Sequence, residues 1–355
     1  MTSSNIELNA LAEQAILVNA YSSLSAVEAP EFAVQINAQR DLSDAELRPH
    51  LQGFIGYVLS RGQDEMSFAK YHIYRHLQKT QQHLSFYIQR EDFEDLSNWA
   101  LQANALIFLA DGHVRAPDGA ILLNGDDGQS DAEAQIPYPA SAWQRKQRSD
   151  AVLKEFKLAV PAHLPPVIAA SEVRLRQPQA VAERALALFL VALRAESLNS
   201  GEPIAVSELT QRLPLSSAFL SEAEVAYLQQ DQPDEQANIN FCWRYESLAL
   251  LLWALGKLPE LSTATQICEV SQIAELMLAQ TESDFLSEPI LRPTQEILDA
   301  LDLHFRLHWA VRQARQDPQL ELGEFIPGVI YERHYALNWL CNFEEADWDQ
   351  VDTPT

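Results

Sequence analysis

Glycine, cysteine and long apolar runs are all scarce in this sequence. Only 11 of the 355 residues are Gly, which argues against β-barrels and glycine-rich nucleotide loops and favours helix. The three cysteines, Cys242, Cys268 and Cys341, form no Cys-x-x-Cys pair, so we expect a reducing compartment and no disulfide framework. The longest apolar runs, 185–193 and 248–255, are far shorter than the roughly 20 residues that a membrane span needs.

Basic residues are also few, with 25 Lys and Arg against 50 Asp and Glu and a net charge of −25. A field of this sign repels nucleic acid and anionic membranes and attracts basic partners. The same excess of acid also serves plain solubility, and composition does not separate the two roles. We therefore predict no nucleic-acid or membrane partner and keep a basic protein as the candidate partner. The N-terminus has no basic segment before an apolar run, which predicts a cytoplasmic location.

Recognisable catalytic and metal-binding motifs are missing as well. The sequence contains no G-x-S-x-G nucleophile elbow, P-loop or dinucleotide fingerprint, each of which has a defined spacing. His304 and His308 lie four residues apart in a predicted helix, but a zinc site uses three or four protein ligands. We predict neither a metal site nor a cofactor.

The first part of the chain alternates between strand and helix patterns. Leu8, Leu11, Ala15 and Val18 have the spacing of a short peripheral helix. The elements predicted after it are a strand at 32–37, a helix at 44–60, strands at 66–73 and 84–88, a helix at 92–102 and a strand at 105–109. This βαββαβ order predicts a ferredoxin-like arrangement, with a final hairpin between Val114 and Leu123. The stretch 71–82 fits a helix equally well.

The second part of the chain has an almost wholly helical pattern. Helices are predicted near 178–198, 205–213, 221–230, 238–256, 266–280, 293–316 and 326–342, with prolines between them or at their ends, as expected for a residue that stops helices. The predicted fold class is therefore α+β, with a ferredoxin-like N-terminal domain followed by an all-α C-terminal domain. The predicted bounds are 1–123 for the α+β domain, 124–176 for a linker and connecting segment, and 177–355 for the helical domain.

Three of these helices carry charged side chains among apolar ones, where each charge needs a partner. One interpretation is an active site that contains a perturbed acid or base. The favoured interpretation is a satisfied ion-pair network that fixes helix register. No catalytic role is assigned. The candidate polar cluster comprises Arg244, Glu246, Asp302, Arg306, His308, Glu332, Arg333, His334 and Asn338.

The chain ends in an acidic segment that contains Asp347, Trp348 and Asp349. We expect Trp348 to dock the terminus on the helices while the two carboxylates stay in water. An acidic, aromatic segment also suits contact with a basic protein, which makes these three residues partner-binding candidates.

Several motifs in the helical part resemble one bacterial family. They are Trp243-Arg244-Tyr245-Glu246, Leu291-Arg292-Pro293, Arg306-Leu307-His308-Trp309-Ala310, Glu332-Arg333-His334-Tyr335-Ala336-Leu337-Asn338-Trp339-Leu340 and Asp347-Trp348-Asp349-Gln350-Val351. As a set they resemble the domain-of-unknown-function family numbered 4272, over about residues 178–355. The resemblance implies the helical fold and leaves the activity open.

Two functions are compatible with these observations. The first is a protein-interaction module, such as an acidic immunity protein whose carboxylates occupy the cationic site of a basic toxin. The alternative is a hydrolase that uses the region of Glu332, Arg333 and His334, with Glu246 as base or ion-pair partner. A polar cluster that opens onto a concave pocket favours the enzyme, whereas a sealed and fully paired cluster under an acidic surface favours the interaction module.

Overall fold

The computed structural model describes residues 15–62, 66–317 and 320–355. The chain divides into two compact units, 1–140 and 141–355. Strands occur in the first unit and the second is helical, so the α+β class with a helical C-terminal region is confirmed. None of the described helices combines the length and the apolar character that crossing a bilayer takes. The domain bounds 1–123, 124–176 and 177–355 stay a prediction.

In the described part of the first unit, one antiparallel sheet has three helices packed on it. Its strand order is β2-β3-β1-β4-β5-β6. The elements are β1 (Ile16–Ser22), β2 (Gln35–Asp41), α1 (Leu47–Leu59), α2 (Phe68–Gln78), β3 (Gln82–Ile88), α3 (Phe93–Gln102), β4 (Ala105–Leu109), β5 (Val114–Arg115) and β6 (Ile121–Leu123).

Each face of this sheet has its own apolar core, because alternate side chains of a strand point to opposite faces. Tyr21 of β1 and Leu106 of β4 join the core formed with α1 and α2. Their neighbours Ala20 and Ala105 lie in the core formed with α3. The strands in the middle of the sheet are therefore covered on both faces.

The ferredoxin-like arrangement is not confirmed. A βαββαβ chain needs a helix between its first two strands, and no helix lies between β1 and β2, at residues 23–34. The predicted strand at 66–73 is wrong, because helix α2 begins at Phe68. The alternative interpretation, a helix over 71–82, is correct as far as Gln78, where α2 ends. The aromatic residues there favour a strand by propensity, but Ile73 and Leu77 are buried one turn apart, and such packing overrides propensity.

The predicted N-terminal helix is also only partly covered by the structure. Leu8 and Leu11 lie outside the described residues, and Val18 belongs to β1 rather than to a helix. Val18 and Ala20 are both buried, which is the alternation expected of a strand. The helical spacing of Leu8, Leu11, Ala15 and Val18 favours a helix instead. The hairpin predicted between Val114 and Leu123 is present as β5 and β6.

All seven helices predicted for the second unit are present. The helix predicted at 238–256 is divided at Trp243, and three helices, α4, α7 and α12, were not predicted. The helices are α4 (Ala140–Glu155), α5 (Pro178–Asn199), α6 (Val206–Arg212), α7 (Pro214–Ala218), α8 (Glu222–Leu228), α9 (Glu235–Cys242), α10 (Arg244–Ala254), α11 (Val270–Leu278), α12 (Glu282–Phe285), α13 (Thr294–Gln316) and α14 (Pro327–Leu340).

The core of the second unit forms around α5 and α10. Every residue of α10 after Arg244 is buried, as expected for a helix that is apolar nearly all round. Both helices contact the main apolar cluster, which also includes the C-terminal half of α14. At its other end α14 approaches Trp243 so closely that a Cβ built on Gly328 would lie 2.7 Å from the indole ring. The charged residues of α10 and α14 are therefore brought together inside the unit.

Candidate functional site

Arg333 of α14 and Glu246 of α10 form a buried ion pair. The Nε and Nη2 atoms of Arg333 lie 3.1 Å and 3.0 Å from Oε2 of Glu246, and both side chains are at most 2% exposed. The remaining groups also find partners: Arg333 donates to the carbonyl and hydroxyl of Ser262, and the backbone N–H of Cys268 donates to Oε1 of Glu246 at 2.5 Å. A pair satisfied in this way holds the two helices in register.

A second pair, Arg244 with Glu332, joins the same two helices. Nη1 of Arg244 donates to Oε2 of Glu332 at 3.0 Å, and the hydroxyl of Ser247 donates to the same oxygen at 2.7 Å. Burial acts to lower the pKa of Arg244, but Glu332, Tyr335 and Glu224 together outweigh it and the pKa lies above its ordinary value. The guanidinium also lies near the rings of Tyr335 and Trp348, 5.2 Å and 5.9 Å from their centroids, where a cation is favoured.

Asp302 and Arg306 pair within α13, at the predicted spacing of four residues. Nε and Nη2 of Arg306 donate to the two carboxylate oxygens of Asp302 at 2.7 Å and 2.9 Å, the bidentate geometry that suits a guanidinium. Both side chains are 0% exposed. The pair also ties down an extended segment, because Asp302 accepts from the N–H of Val167 and Arg306 donates to the carbonyl of Pro165.

Three histidines lie where α13 packs on α14. The Nδ1 atoms of His308 and His334 are 2.9 Å apart, so one ring must donate and the other accept. His304 shares a hydrogen bond of 2.8 Å with the carbonyl of Ala300 through Nδ1, which leaves the buried Nε2 without a partner. Burial, and after it the nearby charge of Arg333, lowers the pKa of His304 to about 3. Burial, and after it the charges of Arg312 and Arg315, lowers the pKa of His308 to about 4. Burial and the other two histidines hold the pKa of His334 well below its usual value.

The predicted polar cluster thus resolves into separate pairs rather than one shared site. Each of Glu246, Glu332 and Asp302 is engaged with an arginine. Asn338, the remaining member, donates to the carbonyl of Asp352 at 2.8 Å. Within the described part of the chain, no group of three or more His, Cys, Asp and Glu side chains is placed to hold a metal ion.

The C-terminal segment is docked through Trp348, as expected. The indole is 5% exposed and packs edge-on against Tyr335 and Trp339, with centroids 5.1 Å and 5.4 Å away. Asp347 and Asp349 stay exposed, although Asp349 accepts from the N–H of Ala223 at 3.0 Å, near the N-terminus of α8. Contact of these residues with a partner stays a prediction, and Trp348 would contribute to it from beneath the surface.

Sequence reasoning missed several more buried arginines. Arg184 of α5 pairs with Glu224 of α8, and Arg194 donates to the carbonyls of Ile204 and Asp231. The signal was present, because Arg184 and Arg194 interrupt the apolar run of α5 just as Arg244 interrupts that of α10. Arg145, in a helix that was not predicted, is 0% exposed and donates to Asp299, Gln295 and the carbonyl of Ile168.

This inward placement of arginines leaves the surface of the second unit strongly acidic. Among its described residues, 21 Asp and Glu are exposed against seven Lys and Arg. One stretch of this surface is 258–291, which we call the acidic segment and in which no basic residue occurs. Its acids are Glu260, Glu269, Glu275, Glu282, Asp284 and Glu288. The segment also exposes Ile267, Leu278 and Ile290, at 57%, 60% and 74%.

The thiols are not activated. Burial first, and nearby carboxylates second, raise the pKa of Cys242 to about 11 and that of Cys268 still higher. Burial raises the pKa of Cys341 to about 12. A thiol with a raised pKa stays protonated near neutral pH and is a poor nucleophile.

Comparisons with known proteins agree with the helical half of the chain. A search of curated proteins and a search of solved structures each return no match. The family model described as "Domain of unknown function (DUF4272)" matches residues 145–351, more than half of the chain. The match begins within α4, upstream of the residues that carry the resemblance in the sequence. The chain therefore belongs to the DUF4272 family.

Proposed function

We propose that this protein is an interaction module whose acidic helical unit binds a basic protein. An immunity protein that neutralises a basic toxin is the concrete form of this proposal. The observation that carries it is the charge distribution of the second unit: arginines lie in the core, and exposed acids outnumber exposed bases by 21 to seven. An acidic surface of this kind raises the association rate of a basic partner and disfavours acidic ones.

The acidic segment is the proposed contact region. It combines uncompensated carboxylates with the exposed apolar side chains of Ile267, Leu278 and Ile290. Interfaces commonly combine an apolar centre with a polar rim. A basic partner that also carries apolar side chains fits this composition best.

The hydrolase alternative has less support. Its candidate base, Glu246, and the neighbouring Glu332 are each buried and held by an arginine, so neither carboxylate is positioned to meet a substrate. A cavity of about 110 Å³ lies in the first unit, lined by residues of α3, β4 and the 115–119 turn. It is smaller than typical ligand pockets, and no member of the polar cluster lines it.

The experiment has two steps. The full chain is used to capture partners from its native host, and a recovered basic protein is then purified and its binding measured by calorimetry and stopped flow. We expect binding whose association rate falls steeply between 50 and 500 mM salt, because screening weakens steering. A partner that is acidic, or binding that does not respond to salt, contradicts the proposal.

Matched charge variants then test the contact region. The triple variant Glu260→Gln, Glu269→Gln and Glu275→Gln removes three exposed carboxylates from the acidic segment. The control triple, Glu155→Gln, Glu321→Gln and Glu324→Gln, removes the same charge from exposed positions elsewhere in the second unit. We expect the first triple to weaken binding by roughly tenfold or more and the control to weaken it much less. Equal effects would leave net charge alone as the cause and reject the acidic segment as the contact.

A further inference from the structure

Arg40 of β2 is a half-buried arginine that pairs with no carboxylate of the described residues. Its partner among the described residues is a neutral group, Nδ1 of His83, at 3.1 Å. In the same unit Arg115 pairs with Asp111 at 2.7 Å, so acids are available to arginines there. Among the described residues, Arg40 therefore meets no compensating carboxylate, and none of them accepts a hydrogen bond from its Nε or Nη2 group.

The surroundings of Arg40 are fixed by strand register. Arg40 and Tyr21 both lie opposite His83, on β2 and β1 respectively, so the three side chains form one row across the sheet. His83 accepts from Arg40 through Nδ1 and therefore carries its proton on Nε2, which donates to Oδ1 of Asn19 at 3.2 Å. Both ring nitrogens are engaged, and His83 serves as a rigid support for the guanidinium.

His50 of α1 completes the arrangement. Its ring lies on that of His83, with centroids 4.1 Å apart, and its Nε2 is 3.1 Å from the hydroxyl of Tyr21. When Tyr21 donates this hydrogen bond, the neutral imidazole has its proton on Nδ1, for which the described residues supply no partner. His50 and Arg40 are both partly exposed, so a ligand can approach the guanidinium of Arg40 and the imidazole of His50.

Arg40 acts electrostatically on Tyr21, His50 and His83. After burial, the groups that shift the pKa values of Tyr21, His50 and His83 are Arg40 and His50, and no carboxylate is among them. Leaving a partly desolvated guanidinium without an anion costs free energy that an incoming anion restores.

We infer that Arg40 and His50 form a binding site for the oxyanion group of a small ligand, a phosphate monoester or a carboxylate. The guanidinium presents Nε and Nη2 side by side, the fork that binds two oxygens of such a group. The Nδ1–H of His50 donates to a third oxygen or to the same group. The site lies within the first unit and stands independently of the proposed partner binding.

The test is an NMR titration of the full chain that follows the imidazole signals of His50 and His83. Inorganic phosphate and acetate are added separately, with sodium chloride at matched ionic strength as the reference. We expect a saturable shift of the His50 signals. A response to phosphate alone identifies the phosphate class, and a response to both anions identifies a general oxyanion site. The absence of a saturable shift with either anion overturns the inference.

Two variants locate the binding. Arg40→Gln should weaken it about tenfold or more, because a charged donor is lost. Arg48→Gln, which removes an exposed arginine from α1, should leave it unchanged. An equal loss in both variants would mean a nonspecific charge effect and reject the site. Should Arg40→Gln fail to fold, His50→Gln supplies the second measurement, read from the His83 signals in both the variant and the wild type, with an expected loss of affinity of severalfold and no change in the far-UV spectrum.

Discussion

Arg333 and Glu246 place two full charges on helices that are otherwise apolar, and both are almost completely removed from water. Bringing such a pair into a core costs desolvation that its Coulomb attraction only partly repays, so the pair adds little net stability. Its value lies in specificity, because a helix shifted by one residue leaves both charges unpaired. Removing one partner is a different matter, since the other charge stays buried.

Arg333→Met should therefore destabilise the second unit by about 3–5 kcal/mol, because it leaves Glu246 ionised without its cation. The measurement is urea unfolding followed by tryptophan fluorescence, since six of the seven Trp residues lie in 141–355. The double variant with Glu246→Leu should recover most of the loss. The exposed pair of Arg212 and Glu208 supplies the control, and Arg212→Met should change stability by less than about 0.5 kcal/mol. A similar small change for Arg333→Met would contradict the structural role.

At the scale of elements, helix contacts rather than single motifs determine the site. Three helices, α10, α13 and α14, supply eight of the nine predicted cluster residues as paired side chains, and Asn338 of α14 binds the terminal segment. The Arg244–Glu332 and Arg333–Glu246 pairs link two helices that are far apart in the sequence. Their free energy is therefore realised only when the whole unit is folded.

The α13–α14 contact should make the protein sensitive to acid. In the unfolded chain His304, His308 and His334 bind protons below about pH 6.5, whereas the pKa in the folded state is about 4 for His308 and about 3 for His304. Neutral histidines stabilise the fold fully above pH 6.5, and this contribution is lost as the pH falls from 6.5 towards 4. Each group lowers stability by up to about 1.4 kcal/mol per pH unit in that range.

Urea unfolding at pH 7.5, 6.0 and 5.0 measures this dependence. The variant His308→Gln with His334→Gln should unfold more easily at pH 7.5 but lose less stability on acidification. Hydrogen bonds from Ser43 lower the pKa of Asp41, and for Asp111 the hydrogen bonds from Arg115 and His113 outweigh burial and lower the pKa. These two carboxylates lose their stabilising contribution only below about pH 4, outside the range measured. Equal slopes for the variant and the wild type between pH 6.5 and 5 would show that these histidines are protonated in the folded state.

The approach of α14 to Trp243 gives a packing prediction. Gly328→Ala places a methyl group 2.7 Å from the indole, so we expect a loss of about 1–3 kcal/mol from overpacking. Trp243→Leu replaces the indole by a smaller side chain. Gly328→Ala should therefore cost less free energy of unfolding in the Trp243→Leu background than in the wild type. Urea midpoints of the four proteins form the double-mutant cycle. An additive result would mean that the two residues do not touch in solution.

The terminal segment gives the last prediction at this scale. Trp348→Ala removes a buried indole from its contacts with Tyr335 and Trp339 and should cost about 3–5 kcal/mol. Asp347→Asn, at an exposed neighbouring position, should cost less than about 0.5 kcal/mol. Limited proteolysis followed by mass spectrometry should find earlier cleavage near the terminus in the Trp348 variant alone. Unchanged stability of that variant would mean that the segment is not held by its indole.

At the scale of the whole molecule, the net charge of −25 opposes folding as well as aggregation, because like charges repel in the compact state. Sodium chloride screens this repulsion, with a Debye length that falls from about 10 Å at 0.1 M to about 3 Å at 1 M. We expect the urea midpoint to rise between 0.05 and 0.5 M salt. A falling midpoint would mean that surface ion pairs outweigh the repulsion.

Part of this architecture could be read from the sequence in detail. The helices of the second unit were predicted because apolar residues recur at helical spacing and prolines mark the gaps, as at α13 and α14. Charges inside apolar stretches, such as Arg244 and Arg333, indicated buried pairs. The first unit was harder, since strands and helices there are short and α2 contains aromatic residues that favour strands. Its six-stranded order depends on contacts between distant segments, which local patterns do not contain.

The sequence by itself determined the α+β class, the sign of the surface field and the family motifs, because composition and periodicity are local properties of the chain. Only the tertiary structure decided which charge meets which. Arg333 lies 87 positions from Glu246, and Arg244 lies 88 from Glu332. Arg40 meets the imidazole of His83, 43 positions away, instead of a carboxylate. Spacing along the chain predicts neighbours within one helix or strand, and the pairing of separate elements follows from how their apolar faces pack.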